Sequence, residues 1–259
     1  MKKTALACLA TLWLGGCASG PPIDTTYRSV GQDSRVMFLV LHFTNESFAS
    51  SLETLTQGRV SSHYLVDEKP PIVYRLVEEE RRAWHAGLSS WKGYTQINAS
   101  SVGIEIVNLG LRGPLEDPSS FADFPGEQID TVIELSRAIV KRHGIKPEHV
   151  VGHSDIAPQR KVDPGPKFPW KRFADAGLIH WPKEETVAAR RPAFEASLPD
   201  VSWFQLRLAQ HGFAVPMHGD LDMPTRNVLR AFQMKYRPAR YDGTPDAETA
   251  ALLDALVNP

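Results

Sequence analysis

Val36-Met37-Phe38-Leu39-Val40-Leu41 is an unbroken apolar run, and it ends on an imidazole, His42. A short continuous run of this kind fits a strand buried on both faces. A second run, Val102-Gly103-Ile104-Glu105-Ile106-Val107, carries one carboxylate in its middle. A third, His149-Val150-Val151-Gly152, ends at His153. Between the last two, Ile129, Val132, Ile133, Ile139 and Val140 recur at helical spacing. Glu127 and Asp130 fall in the first turn and Gly144 follows as a stop, so the spacing predicts a helix over 127–143. Strand, helix, strand in that order predicts an α/β fold, with a central mixed sheet flanked by helices.

Outward from that centre, the chain divides. Residues 27–182 read as the α/β domain. Residues 183–197 are charged, alanine-rich and flanked by prolines, which reads as a linker. Residues 198–259 carry a weak repeat: Gly219-x-x-Asp222-x-x-Thr225 recurs as Gly243-x-x-Asp246-x-x-Thr249. Each copy precedes an apolar-periodic stretch, with Asp222 or Asp246 placed to cap it. With a further helix near Trp203 to His211, the expectation is a small C-terminal three-helix bundle.

At the other end, Lys2 and Lys3 precede an apolar run of about ten residues, the length of a signal peptide and too short to span a bilayer. Leu14-Gly15-Gly16-Cys17 resembles a bacterial lipobox, which implies cleavage after residue 16 and lipidation of Cys17. Residues 17–26 then form a short tether. Ala18 follows the cysteine, and by resemblance to lipoprotein sorting this implies the periplasm, anchored to the inner leaflet of the outer membrane. The two cysteines, Cys8 and Cys17, both lie in this leader, so the folded body has no thiolate for a disulfide or a metal. The 259 residues carry a net charge of −1, which gives no electrostatic case for nucleic acid as a partner.

Chemistry concentrates at the strand ends. His42 and His153 close two strands, and Asp163 follows ten residues after the second. Two imidazoles and a carboxylate form a catalytic zinc set, because three protein ligands leave a fourth position for water. Nine histidines are scattered along the chain, and any one alone is more often a surface or core residue than a ligand. Glu105 alternates to the face opposite Ile104 and Ile106, where it suits a general base or a salt bridge. Lys161 suits an oxyanion partner or a solvated loop charge.

Several segments together resemble the zinc N-acetylmuramoyl-L-alanine amidases related to peptidoglycan-recognition proteins. They are Leu41-His42-Phe43-Thr44, Ser62-His63-Tyr64-Leu65-Val66, Ala83-Trp84-His85-Ala86-Gly87, Asn98, Ser101 to Asn108, and Gly152-His153-Ser154-Asp155-Ile156-Ala157-Pro158-x-Arg160-Lys161-x-Asp163-Pro164-Gly165. The lipobox points to the lipoprotein type. The resemblance implies His42, His153 and Asp163 as zinc ligands, Glu105 as the catalytic carboxylate and Lys161 as the transition-state cation. It implies Trp84, His85, Asn98 and Asn108 in the substrate groove, and His63 as a structural residue. Phe43 stands where some relatives carry a second histidine. The implied substrate is peptidoglycan or its muropeptides, and the bond is the amide between the lactyl group of N-acetylmuramic acid and L-alanine. The alternative, a non-catalytic receptor on the same fold, typically lacks a metal ligand, whereas all three candidates are present. A structural zinc spacer needs a fourth protein ligand, and the motif offers no further Cys or His. The C-terminal unit, through Ala231-Phe232-Gln233 and the repeated turn, resembles peptidoglycan-binding three-helix domains.

Overall fold

The computed structural model describes residues 20–259; Cys17 and the rest of the leader lie outside them. By its contacts the chain divides between Asp33 and Ser34, and residues 34–259 form one compact unit. Residues 20–33 contain no helix or strand. The folded body therefore begins at Ser34, seven residues after the domain start read from the sequence.

Within that unit, the first apolar run becomes β1 (Phe38–Phe43), followed by α1 (Phe48–Gln57), β2 (Tyr64–Val66), β3 (Val73–Arg75) and β4 (Ser101–Ile106). The expected long helix is α2 (Gly126–His143), ended by Gly144 at φ 67°. Then come β5 (Val150–Gly152), a single turn α3 (His153–Ile156) and α4 (Trp170–Asp175). The five strands run in the order β3-β2-β4-β1-β5. Only β3 is antiparallel to its neighbour, so the sheet is mixed, as expected.

The fifth helix, α5 (Glu184–Ala196), occupies the span read as a linker. It contains Pro192, whose missing N–H and ring are costly inside a helix. Packing offsets that cost. α5 lies against α8 (Ala247–Val257), and Arg190 bonds Asp254 at 2.9 Å and the carbonyl of Asn258 at 2.8 Å. With α6 (Val201–His211) and α7 (Met223–Tyr236), the C-terminal region is the expected three-helix bundle with α5 packed on its flank.

The repeated turn has one physical design in both copies. Asp222 and Asp246 each accept the N–H of the threonine three residues on, at 2.9 and 2.8 Å. Behind each sits a fully buried glutamine. Gln205 accepts from Gly219 N at 2.8 Å and donates to Thr225 Oγ1 at 3.0 Å. Gln233 accepts from Gly243 N at 2.8 Å and donates to Thr249 Oγ1 at 3.2 Å. Each clamp satisfies buried turn groups that would otherwise cost about 1–3 kcal/mol apiece.

Two cores use opposite faces of the sheet. Leu39, Leu41, Val102, Ile104, Ile106 and Val150 pack with Ile129, Val132, Ile133 and Ile139 of α2. Phe38, Val40 and Val151, on the other face, pack with Phe204, Leu208, Val228, Leu229 and Phe232 of the C-terminal helices. The bundle is thus the second helical layer of the sandwich.

Candidate metal centre

Parallel strands bring their carboxyl ends to one edge. In the β1–β4 register His42 is the Cα partner of Glu105, and in the β1–β5 register Leu41 pairs with Gly152. His42 and His153 therefore emerge side by side, although 111 residues separate them in the chain. His153 is the first residue of α3 rather than the end of β5. Asp163 is tied to the same turn, because Ser154 N–H donates to the Asp163 carbonyl at 2.8 Å.

The three side chains are buried and converge. His42 Nδ1 lies 2.9 Å from His153 Nδ1 and 3.1 Å from Asp163 Oδ2, and His153 Nδ1 lies 3.1 Å from the same oxygen. Hydrogen-bond accounting fixes the tautomers. Ser101 Oγ spends its proton on the Ile97 carbonyl at 2.6 Å, so it accepts from His85 Nε2–H at 3.1 Å. His85 Nδ1 then accepts from His42 Nε2–H at 3.0 Å. His153 Nε2 donates to the Ala86 carbonyl at 3.2 Å. Both Nδ1 atoms are left as bare lone pairs facing each other and a carboxylate. That arrangement is repulsive without a cation at its centre. Tetrahedral zinc, with ligands about 2.0–2.1 Å away, spaces them roughly 3.3 Å apart, close to the separations found. The donor set fits zinc.

Electrostatics agrees. Burial lowers His42 to about 4, helped by the neighbouring His153 and opposed by Asp163. Burial raises Asp163, but His153 and His42 outweigh it and hold the carboxyl below its usual range. Burial, and then the neighbouring His42, lower His85 well below the usual histidine value. Burial, and then the Asp163 charge, push Glu105 well above the carboxylate range, while Lys161 pulls it down.

Glu105 Oε1 stands 3.9 Å from His42 Nδ1, and its Oε2 is buried with no hydrogen-bond partner. Glu105 and Lys161 line a cavity of about 170 Å³ with Trp84, His85, His153 and Asp163. Trp84 is half exposed at this cavity, with the Arg82 guanidinium 4.0 Å over its ring. Thr44, which stands in the Leu41–Thr44 motif without an assigned role, lines it too, as does Glu46, which no motif singled out.

The other groove candidates do different work. Asn98 accepts from the N–H groups of His85 and Ala86 at 3.0 and 2.8 Å, holding that segment from behind rather than lining the cavity. Asn108 accepts from Gly110 N and donates to the Asp123 carbonyl, bracing a loop outside the lining. His63 is structural as expected: Nδ1 accepts from Gly103 N at 3.0 Å and Nε2 donates to the Arg81 carbonyl at 3.1 Å. Sequence reasoning missed Ser101 and Gly103, the residues that shape the imidazole chain, because neither carries a chemically loud side chain.

Residues 32–166 match the family described as N-acetylmuramoyl-L-alanine amidase, and residues 197–253 match a family described as a peptidoglycan binding domain. The chain is 41% identical over 281 residues to N-acetylmuramoyl-L-alanine amidase AmiD of Escherichia coli (strain K12), covering 99% of this chain and 98% of that protein. A solved complex of that E. coli amidase with anhydro-N-acetylmuramic acid-L-Ala-D-gamma-Glu-L-Lys matches at TM-score 0.81 and 40% identity, covering 91% of this chain and 93% of that one. AMPDH3 from Pseudomonas aeruginosa, in complex with an anhydromuramic pentapeptide, matches at TM-score 0.83 and 41% identity, covering 90% and 96%.

Proposed function

This chain belongs to the N-acetylmuramoyl-L-alanine amidase family, and from that premise we propose that it hydrolyses the amide between the lactyl group of N-acetylmuramic acid and L-alanine with zinc held by His42, His153 and Asp163. Its substrate is peptidoglycan or the anhydromuramyl peptides that the two relatives bind. The observation that carries the zinc assignment is the meeting of two imidazole Nδ1 atoms and a carboxylate beside a cavity.

Zinc in such a site polarises a carbonyl oxygen and lowers the pKa of water to about 7. The chain's own residues do the rest. Glu105, with one oxygen unpartnered, accepts a proton from the attacking water and returns it to the departing alanine nitrogen. Lys161 faces the same cavity and balances the charge that develops on the lactyl carbonyl oxygen. The C–N bond breaks, hydroxyl joins the lactyl carbon and the amine leaves protonated. His85 and Ser101 hold His42 in the tautomer that leaves Nδ1 free. Trp84 offers an exposed ring for a sugar or peptide face. Asn98 and Asn108 act on the backbone around the groove.

The test is a digest of an anhydromuramyl tripeptide with and without a chelator, read by mass spectrometry. The expected products are the free sugar acid and the intact peptide, lost on chelation and regained with zinc. Binding without cleavage is the receptor outcome and overturns the reading. We also propose that Cys17 carries lipid and that the enzyme faces the periplasm from the inner leaflet of the outer membrane, on the strength of the lipobox and Ala18. Cys17→Ser should move the protein from the membrane to the soluble fraction; retention in the membrane refutes the anchor.

A further inference from the structure

The turn that carries His153 is too short to hold its own shape. α3 has four residues, and an isolated turn is unfavourable. Asp155 closes it: its Oδ2 accepts the Gly152 N–H at 2.8 Å. The same turn holds Asp163 through Ser154 N–H, so two of the three ligands depend on its geometry. Asp155 is almost wholly buried, with 1% of its side chain exposed, and a buried carboxylate needs a partner.

That partner comes from the C-terminal helices. Lys235 Nζ, on α7, lies 2.7 Å from Asp155 Oδ2, with 4% of its side chain exposed. The ammonium also sits 4.3 Å over the Trp170 ring. Further along the same contact, Gln159 donates to the Pro224 carbonyl at 2.9 Å and accepts from Asn227 at 3.0 Å. The ion pair joins the region matching the amidase family to the region matching the peptidoglycan binding family.

We infer that Lys235 is a positioning residue of the metal centre: by neutralising Asp155 it fixes α3, and through α3 the ligands His153 and Asp163. The C-terminal helices are then a built-in part of the catalytic apparatus rather than only a wall-binding module. The shared apolar core on that face of the sheet supports this. The inference rests on the zinc reading above.

The experiment uses the full chain loaded with zinc. Lys235→Met keeps the apolar stem beneath Trp170 and leaves Asp155 buried and uncompensated. Asp155→Asn with Lys235→Met removes the imbalance and keeps an acceptor for Gly152 N–H. Zinc affinity is read by competition with a chromophoric chelator, kcat and KM on a soluble muropeptide, and fold by near-UV circular dichroism. Lys235→Met should weaken zinc roughly 10- to 100-fold, the range for outer-shell partners of metal ligands. It should lower kcat more than KM, and the double variant should recover both. Zinc affinity within threefold of the parent in Lys235→Met overturns the inference, even if pelleting with insoluble peptidoglycan falls. A loss that the double variant does not recover also overturns it, since packing and not charge balance is then the cause. If Lys235→Met does not fold, the double variant decides. Folded with zinc retained supports the inference; unfolded, or folded without zinc, refutes it. A parent chain that binds no zinc overturns the zinc reading itself, so the two failures are distinguishable.

Discussion

Gly103→Ala tests the imidazole chain with one methyl group. Gly103 sits in β4, with β1 on one side and β2 on the other, and its N–H is held by His63. A Cβ there would lie 2.6 Å from His85 Cγ, 2.7 Å from Nδ1 and 2.9 Å from Cδ2. Carbon contacts are comfortable at about 3.5–4.0 Å, so the ring must retreat by roughly 0.9 Å or more. It cannot do so and keep both of its bonds, 3.0 Å to His42 and 3.1 Å to Ser101, because these pin the two opposite nitrogens of the ring. The strand cannot yield instead, since both of its edges are paired.

The cost follows. Leaving His42 Nε2–H buried without an acceptor is worth about 1–3 kcal/mol. Outer-shell losses weaken metal sites by about 10- to 100-fold, which at 1.4 kcal/mol per decade is about 1.4–2.8 kcal/mol. The two routes agree in size. The expected result is zinc affinity lower by one to two decades, measured by chelator competition, in a chain that still folds. Overpacking itself costs about 1–3 kcal/mol, so the melting temperature of the chelated protein is measured alongside. Ser101→Ala supplies the same chain break without the clash and should show a loss in the same direction. If Gly103→Ala binds zinc within threefold of the parent, the chain does not set the His42 tautomer and the reasoning fails.

Two further outcomes are expected. Glu105→Gln keeps shape but cannot accept a proton, so kcat should fall by about 10²- to 10⁴-fold while zinc stays bound; zinc loss in that variant would make Glu105 a ligand. His211 is packed among Trp91, Phe232 and Tyr236, and burial lowers it to about 3. The unfolded chain takes up this proton near pH 6.5, so between pH 6.5 and 3 the unfolded state holds more protons and stability falls as pH falls, by at most about 1.4 kcal/mol per unit. Urea unfolding at pH 7 and pH 5 should show that slope, made shallower in His211→Gln; an unchanged slope means His211 titrates in the folded chain.

The parts of this molecule legible from sequence were those with a period or a loud side chain. Buried strands announced themselves as apolar runs, and His42, Glu105 and His153 stood out because polar groups interrupt or end those runs. The repeat Gly-x-x-Asp-x-x-Thr was visible too, but its clamps were not. Gln205 lies fourteen residues before Gly219, whereas Gln233 lies ten before Gly243, so no fixed spacing aligns them. The helix at Glu184–Ala196 was hidden by its own composition. Pro192 argues against a helix locally although Ala, Glu and Arg favour one, and packing on α8 offsets the proline. Asn98 and Asn108 matched groove positions by motif, but an amide side chain serves a backbone turn as readily as a ligand, and the motif alone does not distinguish the two.

Why residues so distant in sequence meet at all is a matter of register. In parallel pairing every strand ends at the same side of the sheet, and ligands gather outside those ends. One face of each central strand is committed to α2: Leu39 and Leu41 on β1, Ile104 and Ile106 on β4. The alternate positions must then share the other face, which places His42 beside Glu105 and behind them Val40 beside Gly103. A one-residue slip of β4 against β1 would bury Glu105 under α2 and turn Ile104 or Ile106 toward the imidazoles. The same apolar packing that stabilises the sheet therefore selects the alignment in which the carboxylate reaches His42. It also dictates that the face bearing the site be half polar and half apolar. Phe38, Val40 and Val151 are covered in part by Trp91, Ile97 and Ile156, and the C-terminal helices complete that cover. Catalytic geometry and the attachment of the bundle are consequences of one pairing scheme, which is why Lys235 on α7 comes to rest against Asp155, two residues from the proposed ligand His153.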